Sequence, residues 1–314
     1  MTEGTQAAGR IGRGEAWALV SAVAYALNHI FLRVALRGYD LNNMVGATAQ
    51  AAPALLFALI AGWGIKRETK HRVAPWSDWR LAAGLVGSGL LLFVVATPLL
   101  FGSFREGGVL ITSPVTGTQV LWASLLAALL LRQPFNRTMA LGILVSVFGI
   151  LVLTIGKSSG EGLAPTWWRA VPYALGAAAC WAVSGVMLSY AINRGVNRHQ
   201  ALAVVVLTGV VTLNGYLIVT GRTGLYASTP VRVLLTALSA GVFNMIALVA
   251  LVTAYSLTSV ASASAINSLQ VGLAPLLAWA FLREQLNITI IAGILLILVG
   301  VMVVQRARAR GAAP

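Results

Sequence analysis

Along this chain, apolar stretches near or above twenty residues alternate with short polar clusters. About twenty residues of helix cross a hydrocarbon core of about 30 Å. Ten such spans can be drawn, at about 16–37, 42–64, 81–103, 108–131, 138–156, 168–192, 200–220, 231–254, 260–282 and 286–305. The polar clusters between them are short, and no stretch alternates residue by residue as the strands of a membrane barrel do. The pattern therefore predicts an all-α integral membrane protein with ten transmembrane helices.

The pattern also repeats. Residues 132–150, RQPFNRTMALGILVSVFGI, recur as residues 283–301, REQLNITIIAGILLILVGV. At this offset of 151, Arg132, Asn136, Thr138, Gly142 and Gly149 meet Arg283, Asn287, Thr289, Gly293 and Gly300. The opening helices correspond at an offset of 156, where Ala18, Ala22, Ala26 and Leu32 meet Ala174, Ala178, Ala182 and Leu188, and Tyr25 meets Trp181. Each half holds five spans. Because five is odd, the second half is expected upside down, as two inverted five-helix repeats. The chain then divides into a polar tail (1–14), a first unit (15–156), a linker (157–166), a second unit (167–305) and a basic tail (306–314).

Composition agrees. Hydrophobic residues make up 58% and charged residues 10%, too little charge to cover a soluble domain of this length. The net charge of +14 is dispersed among loops, which reads as topology rather than as a nucleic-acid surface. With a cytoplasmic N-terminus, the basic residues divide 14 against 8 in favour of that side, so both termini are expected in the cytoplasm of a cell with this chain in its inner (plasma) membrane. Cys180 is the only cysteine, which excludes an internal disulfide or a cysteine metal site.

These residues resemble the drug/metabolite transporter superfamily, in particular its EamA-type exporters with two five-helix repeats. The resemblance covers nearly the whole chain. It is most specific at Ala274-Pro275-Leu276-Leu277-Ala278, Leu282-Arg283-Glu284, Ala292-Gly293 and Gly300. The first half departs from it: Gln133 replaces the turn glutamate, and Ser124 stands where Pro275 stands in the second copy. The resemblance implies export of amino acids or similar small metabolites by alternating access. An organic-anion or phosphorylated-metabolite exchanger or importer is the alternative on the same fold.

Polar side chains inside a membrane are costly and face a cavity or another helix. In the first span, Tyr25, His29 and Arg33 share one stripe, with Asn28 beside it. Arg33 either snorkels to the interface or draws a substrate carboxylate or phosphate. The fourth and ninth spans hold a second group. Gln119 is equivalent to Gln270, and Thr116 to Asn267, so a pseudo-twofold axis would bring each pair around one space. Trp181 and Tyr25 are candidate aromatic walls. The expected substrate contacts are Tyr25, Asn28, His29, Arg33, Gln119, Trp181, Asn267 and Gln270, with Pro114 and Pro275 as hinges. Gln50 and Asn244 are further polar residues in mid-span. Gly142, Gly149, Gly293 and Gly300 are assigned to close helix packing, with a homodimer face as their second use.

All eight acidic residues lie in tails, loops or span ends, which disfavours organic cations as substrates. Three scattered histidines offer no catalytic constellation, so an intramembrane lipid enzyme or a scramblase is the least favoured reading. No nucleotide-binding motif is present, and no cofactor or metal is called for. The expected partners are a small-molecule metabolite and membrane lipids.

Overall fold

The computed structural model describes residues 12–37, 39–61, 73–119, 121–123, 125–126, 137–158, 166–257, 263 and 266–311. Ser124, Gln133, Trp63, Ser262, Ser264 and most of the linker lie outside them. The helices are α1 (Arg13–Leu36), α2 (Asn43–Leu59), α3 (Trp79–Leu90), α4 (Thr97–Thr116), α5 (Arg137–Ser158), α6 (Ala170–Asn193), α7 (Arg198–Val219), α8 (Gly224–Ser228), α9 (Val231–Leu257), α10 (Gln270–Leu282) and α11 (Ile288–Gly311). A π-helical turn, Leu91–Ala96, joins α3 to α4. Among the described residues the only β pairing is an isolated bridge between Val73 and Val196.

Among the described residues, seven helical stretches are long and apolar enough to cross a membrane, and α2 and α10 are shorter apolar helices beside them. Large apolar side chains face outward, among them Leu144, Phe148, Leu151 and Ile155 on α5 and Ile218 and Val219 at the end of α7. Only a lipid solvent tolerates so much exposed apolar surface. Trp79 and Trp168 sit exposed at helix starts, each beneath the guanidinium of the next arginine, as interfacial anchors do.

One of the seven stretches, Trp79–Thr116, has 38 residues. It does not run straight. Gly108 has φ 69° and ψ −167°, far from helical values. Ser103 and Thr112 are joined by a hydroxyl–hydroxyl hydrogen bond of 2.7 Å. Nine residues of straight helix would separate them by about 13.5 Å. The chain must therefore double back at Gly108, and Val109–Thr116 is a separate helical arm.

The glycine stripes on α5 and α11 face each other. A Cβ on Gly149 would lie 2.7 Å from Ile297 N, one on Gly293 2.5 Å from Leu153 N, and one on Gly300 2.5 Å from Gly142 O. Partner numbers fall as residue numbers rise, so the two helices are antiparallel. Because they are equivalent in the repeat, inversion of one half is the relation this pairing requires. It also corrects the homodimer expectation for these glycines: they are buried against one another within one chain, and their surfaces are not available to a second copy.

The repeat is visible in helix caps as well. Asn42 accepts from Met44 N at the start of α2, and Asn197 accepts from His199 N at the start of α7. The largest buried apolar cluster crosses between the halves. It packs Leu32, Leu36, Phe101 and Phe104 with Ala177, Leu217, Ala237, Ala274 and Ala278.

Candidate functional site

Between the halves lies a cavity of about 280 Å³. Tyr25, Asn28 and His29 reach it from α1, Gln119 from beyond the Val109–Thr116 arm, Trp181 from α6 and Gln270 from α10. Six of the eight side chains expected from the sequence thus share one space. Tyr25 and Trp181, equivalent in the two repeats, both line it, and so do Gln119 and Gln270. Gln50 and Asn244 join them, with Gln50 Nε2 donating to Asn28 Oδ1 at 3.0 Å. Among the described residues the lining holds five amide side chains and no aspartate, glutamate, lysine or arginine. Two of its polar atoms, His29 Nδ1 and Ser113 Oγ, are buried without a hydrogen-bond partner.

The backbone explains how the two glutamines reach the cavity. The arm from Val109 ends in a turn at Gly117-Thr118, and helix resumes at Gln119. In the second half a turn at Ser268-Leu269 precedes Gln270, the first residue of α10. These turns are equivalent at the 151 offset. They even share a hydrogen bond, Trp122 N to Thr118 O in one and Leu273 N to Leu269 O in the other. Each repeat interrupts its fourth helix at the same place. Backbone hydrogen bonds still run through both turns, among them Gly117 N to Ser113 O and Gly272 N to Leu269 O, so each is a local distortion of the helix. Pro114 and Pro275 lie within the helical segments flanking these turns.

Two expected contacts lie elsewhere. Asn267 is buried outside the lining, with its Oδ1 accepting from Ser21 Oγ at 2.8 Å. Its equivalent Thr116 lines the cavity, but its hydroxyl donates to Thr112 O at 2.8 Å within its own helix. Arg33 is also absent from the lining. Its Nε pairs with Glu284 Oε1 at 3.4 Å, and its Nη1 donates to the carbonyls of Phe104 and Arg105. The charge expected to attract a substrate anion is held by an acid of the other half.

That pairing joins the halves one turn of α1 beyond His29. Arg283 takes a left-handed conformation (φ 54°) after α10, and Glu284 N returns to Ala278 O. The turn aims the Glu284 carboxylate at the first half, where Val109 N and Leu110 N donate to its two oxygens at 3.2 and 3.1 Å. Arg37 Nη1 donates to Leu282 O at 3.0 Å, and Tyr39 OH to Ser228 O at 3.0 Å. All of these contacts join the first half to the second at the same end.

Sequence reasoning did not reach Phe93 or Ser184. Phe93 lies in the π-helical turn and lines the cavity, within an apolar run that carries no local signal. Such turns inside α-helices recur at functional sites. Ser184 also lines it and contacts the Ser88 hydroxyl across the halves. Its pairing depends on a helix remote in sequence.

The model of the EamA-like transporter family matches residues 12–155 and again residues 168–306. No curated protein matches the chain. A solved structure titled "Crystal structure of protein" superposes on 96% of this chain and 99% of its own, with a TM-score of 0.58 at 14% identity. At that identity the likeness shows the fold alone.

Proposed function

The chain belongs to the EamA-like transporter family, and from that premise we propose that it is a ten-span secondary transporter exporting amino acids or similar small polar metabolites. The observation that carries this reading is the cavity: it lies between the repeats and is lined by equivalent residues from both. Opening of this cavity to each side in turn would carry the substrate across. The inner membrane with both termini in the cytoplasm is the proposed setting, on the distribution of basic residues.

At about 280 Å³ the cavity sits just below the range of roughly 300–1,000 Å³ common for ligand pockets, which suits a molecule of amino-acid size. Amides donate and accept at once, so Gln119, Gln270 and Asn244 can meet both ends of a zwitterion. Trp181 and Tyr25 supply the walls. Arg33 has no contact with substrate in this closed arrangement. The turns at Gly117-Thr118 and Ser268-Leu269, each beside a helical segment with an internal proline, are the proposed points of flexure.

The test is counterflow of labelled amino acids, nucleobases and phosphorylated metabolites in liposomes holding the purified protein. Saturable exchange of amino acids is expected, and Gln270→Ala should raise the half-saturation concentration about tenfold by removing an amide partner. Exchange restricted to phosphate esters would instead select the organic-anion reading. No saturable exchange from folded, inserted protein would sink both.

A second substitution probes the wall. A Cβ on Gly209 would lie 2.2 Å from the Phe93 ring, so Gly209→Ala must push that ring off α7. Since Phe93 lines the cavity, the space should shrink and half-saturation should rise about tenfold, at an overpacking cost of about 1–3 kcal/mol. A lowered melting temperature with unchanged half-saturation would show that the ring moves elsewhere.

A further inference from the structure

The seat of the Glu284 carboxylate has the make-up of a binding site. Val109 N and Leu110 N donate to its separate oxygens at 3.2 and 3.1 Å, and Arg33 Nε lies 3.4 Å from Oε1. The two amides open the helical arm Val109–Thr116, where unpaired N–H groups and the helix dipole favour an anion. Arg33 adds a full positive charge. A Cβ on Gly108 would fall 2.4 Å from Glu284 Oε1, so the absent side chain is what leaves room for the carboxylate.

The division of these groups between the halves matters most. Arg33, Gly108, Val109 and Leu110 all belong to the first half, and only the carboxylate comes from the second. Arg33 Nη1 also donates to the carbonyls of Phe104 and Arg105, just before Gly108, so these donors can stay assembled when the Glu284 turn leaves. Nothing in the donor set distinguishes a glutamate side chain from a free carboxylate. The seat also adjoins the cavity. Arg33 stands one turn beyond His29 on the same face of α1, about 6 Å along the axis, and His29 lines the cavity wall. Among the described residues the lining itself offers a carboxylate no lysine or arginine.

We propose that the seat of Glu284 is a carboxylate-binding site, filled by the protein's own side chain in the closed arrangement and by a substrate carboxylate when this end opens. The second clause rests on the transporter reading; the first does not. A carboxylate substrate replaces the contacts that Glu284 gives up, so opening is easier with such a substrate present. A substrate lacking a carboxylate leaves Arg33 Nε and two backbone donors without that acceptor.

The site is tested by thermal unfolding of purified Glu284→Ala in detergent, with sodium acetate or formate against sodium chloride at equal ionic strength. The variant should melt below the wild type, and acetate or formate should restore part of the loss. The wild type should not respond, and adding Arg33→Gln should abolish the recovery. Acetate acting no better than chloride on a cooperatively folded variant would overturn the proposal, as would an equal effect on the wild type. Should Glu284→Ala fail to fold, Glu284→Ser leaves the seat empty as well. The same carboxylate-specific recovery is then expected, and its absence overturns the proposal.

For the transport clause, counterflow of an amino acid is compared with counterflow of its carboxamide. The carboxylate form should exchange about tenfold faster. Equal rates would overturn that clause. Exchange of neither form would remove the transporter reading, while the unfolding result would still decide the seat.

Discussion

Gly300→Val is expected to separate the two closing helices and to cause the largest loss of stability of any single substitution considered. A Cβ at this position would lie 2.2 Å from Ser146 Oγ, 2.5 Å from Gly142 O and 2.7 Å from Ser146 N. Two of these atoms are backbone, so no rotamer change relieves the clash. The helices must move apart, and the neighbouring contacts at Gly149 and Gly293 open with them. In lipid, where apolar surface gains little from leaving its solvent, close packing carries most of helix association. Overpacking costs about 1–3 kcal/mol in an ordinary core, against a total stability of about 5–15 kcal/mol. A rigid backbone contact belongs at or above the top of the first range. Thermal unfolding in detergent measures it. Gly215 is also in a helix, but a Cβ there would meet nothing within 4 Å, so Gly215→Ala should be neutral or slightly stabilising. Equal melting of Gly300→Val and the wild type would mean that the helices do not meet as described.

Gly108→Ala is expected to damage stability and transport together. Its φ of 69° with ψ of −167° lies in a region open essentially to glycine, at a cost of about 1–3 kcal/mol for any other residue. The added methyl would also meet the Glu284 carboxylate, which then loses its place on Val109 N and Leu110 N. Gly221 separates the two effects. It has φ 67° and nothing within 4 Å of where a Cβ would stand, so Gly221→Ala carries backbone strain alone. Gly108→Ala should therefore melt lower than Gly221→Ala, and only Gly108→Ala should alter exchange in liposomes. If the two variants behave alike, the contact with Glu284 contributes nothing beyond strain.

These two glycines show how differently the chain discloses its parts. Gly300 is legible at once, because it recurs with Gly149 at a fixed offset and lies on a stripe with Gly293. Its partner is not. One helix face cannot state whether it meets a helix of the same chain or of another copy, and only the contact between α5 and α11 answers that. Gly108 looks like any loop glycine in the sequence. Its importance comes from Glu284, which lies 176 residues further on and is brought to it by the end of α10.

The cavity divides in the same way. Tyr25, Asn28, His29, Gln119, Trp181 and Gln270 stand out because isolated polar or aromatic groups in apolar helices are conspicuous. Arg33 and Asn267 are conspicuous for the same reason, yet both are engaged by protein partners, Glu284 and Ser21. Polarity marks a buried side chain as needing a partner and does not say which kind.

Membrane character, the two repeats and most of the polar residues that could meet at their centre are all written in the sequence. They can be read there because hydropathy acts over single helices and duplication leaves a constant offset. Three outcomes came from the folded chain alone: which of those residues share a cavity, where the fourth helix of each repeat turns, and that Arg33 pairs with Glu284. They depend on distances between segments far apart in the chain, and no local pattern encodes them.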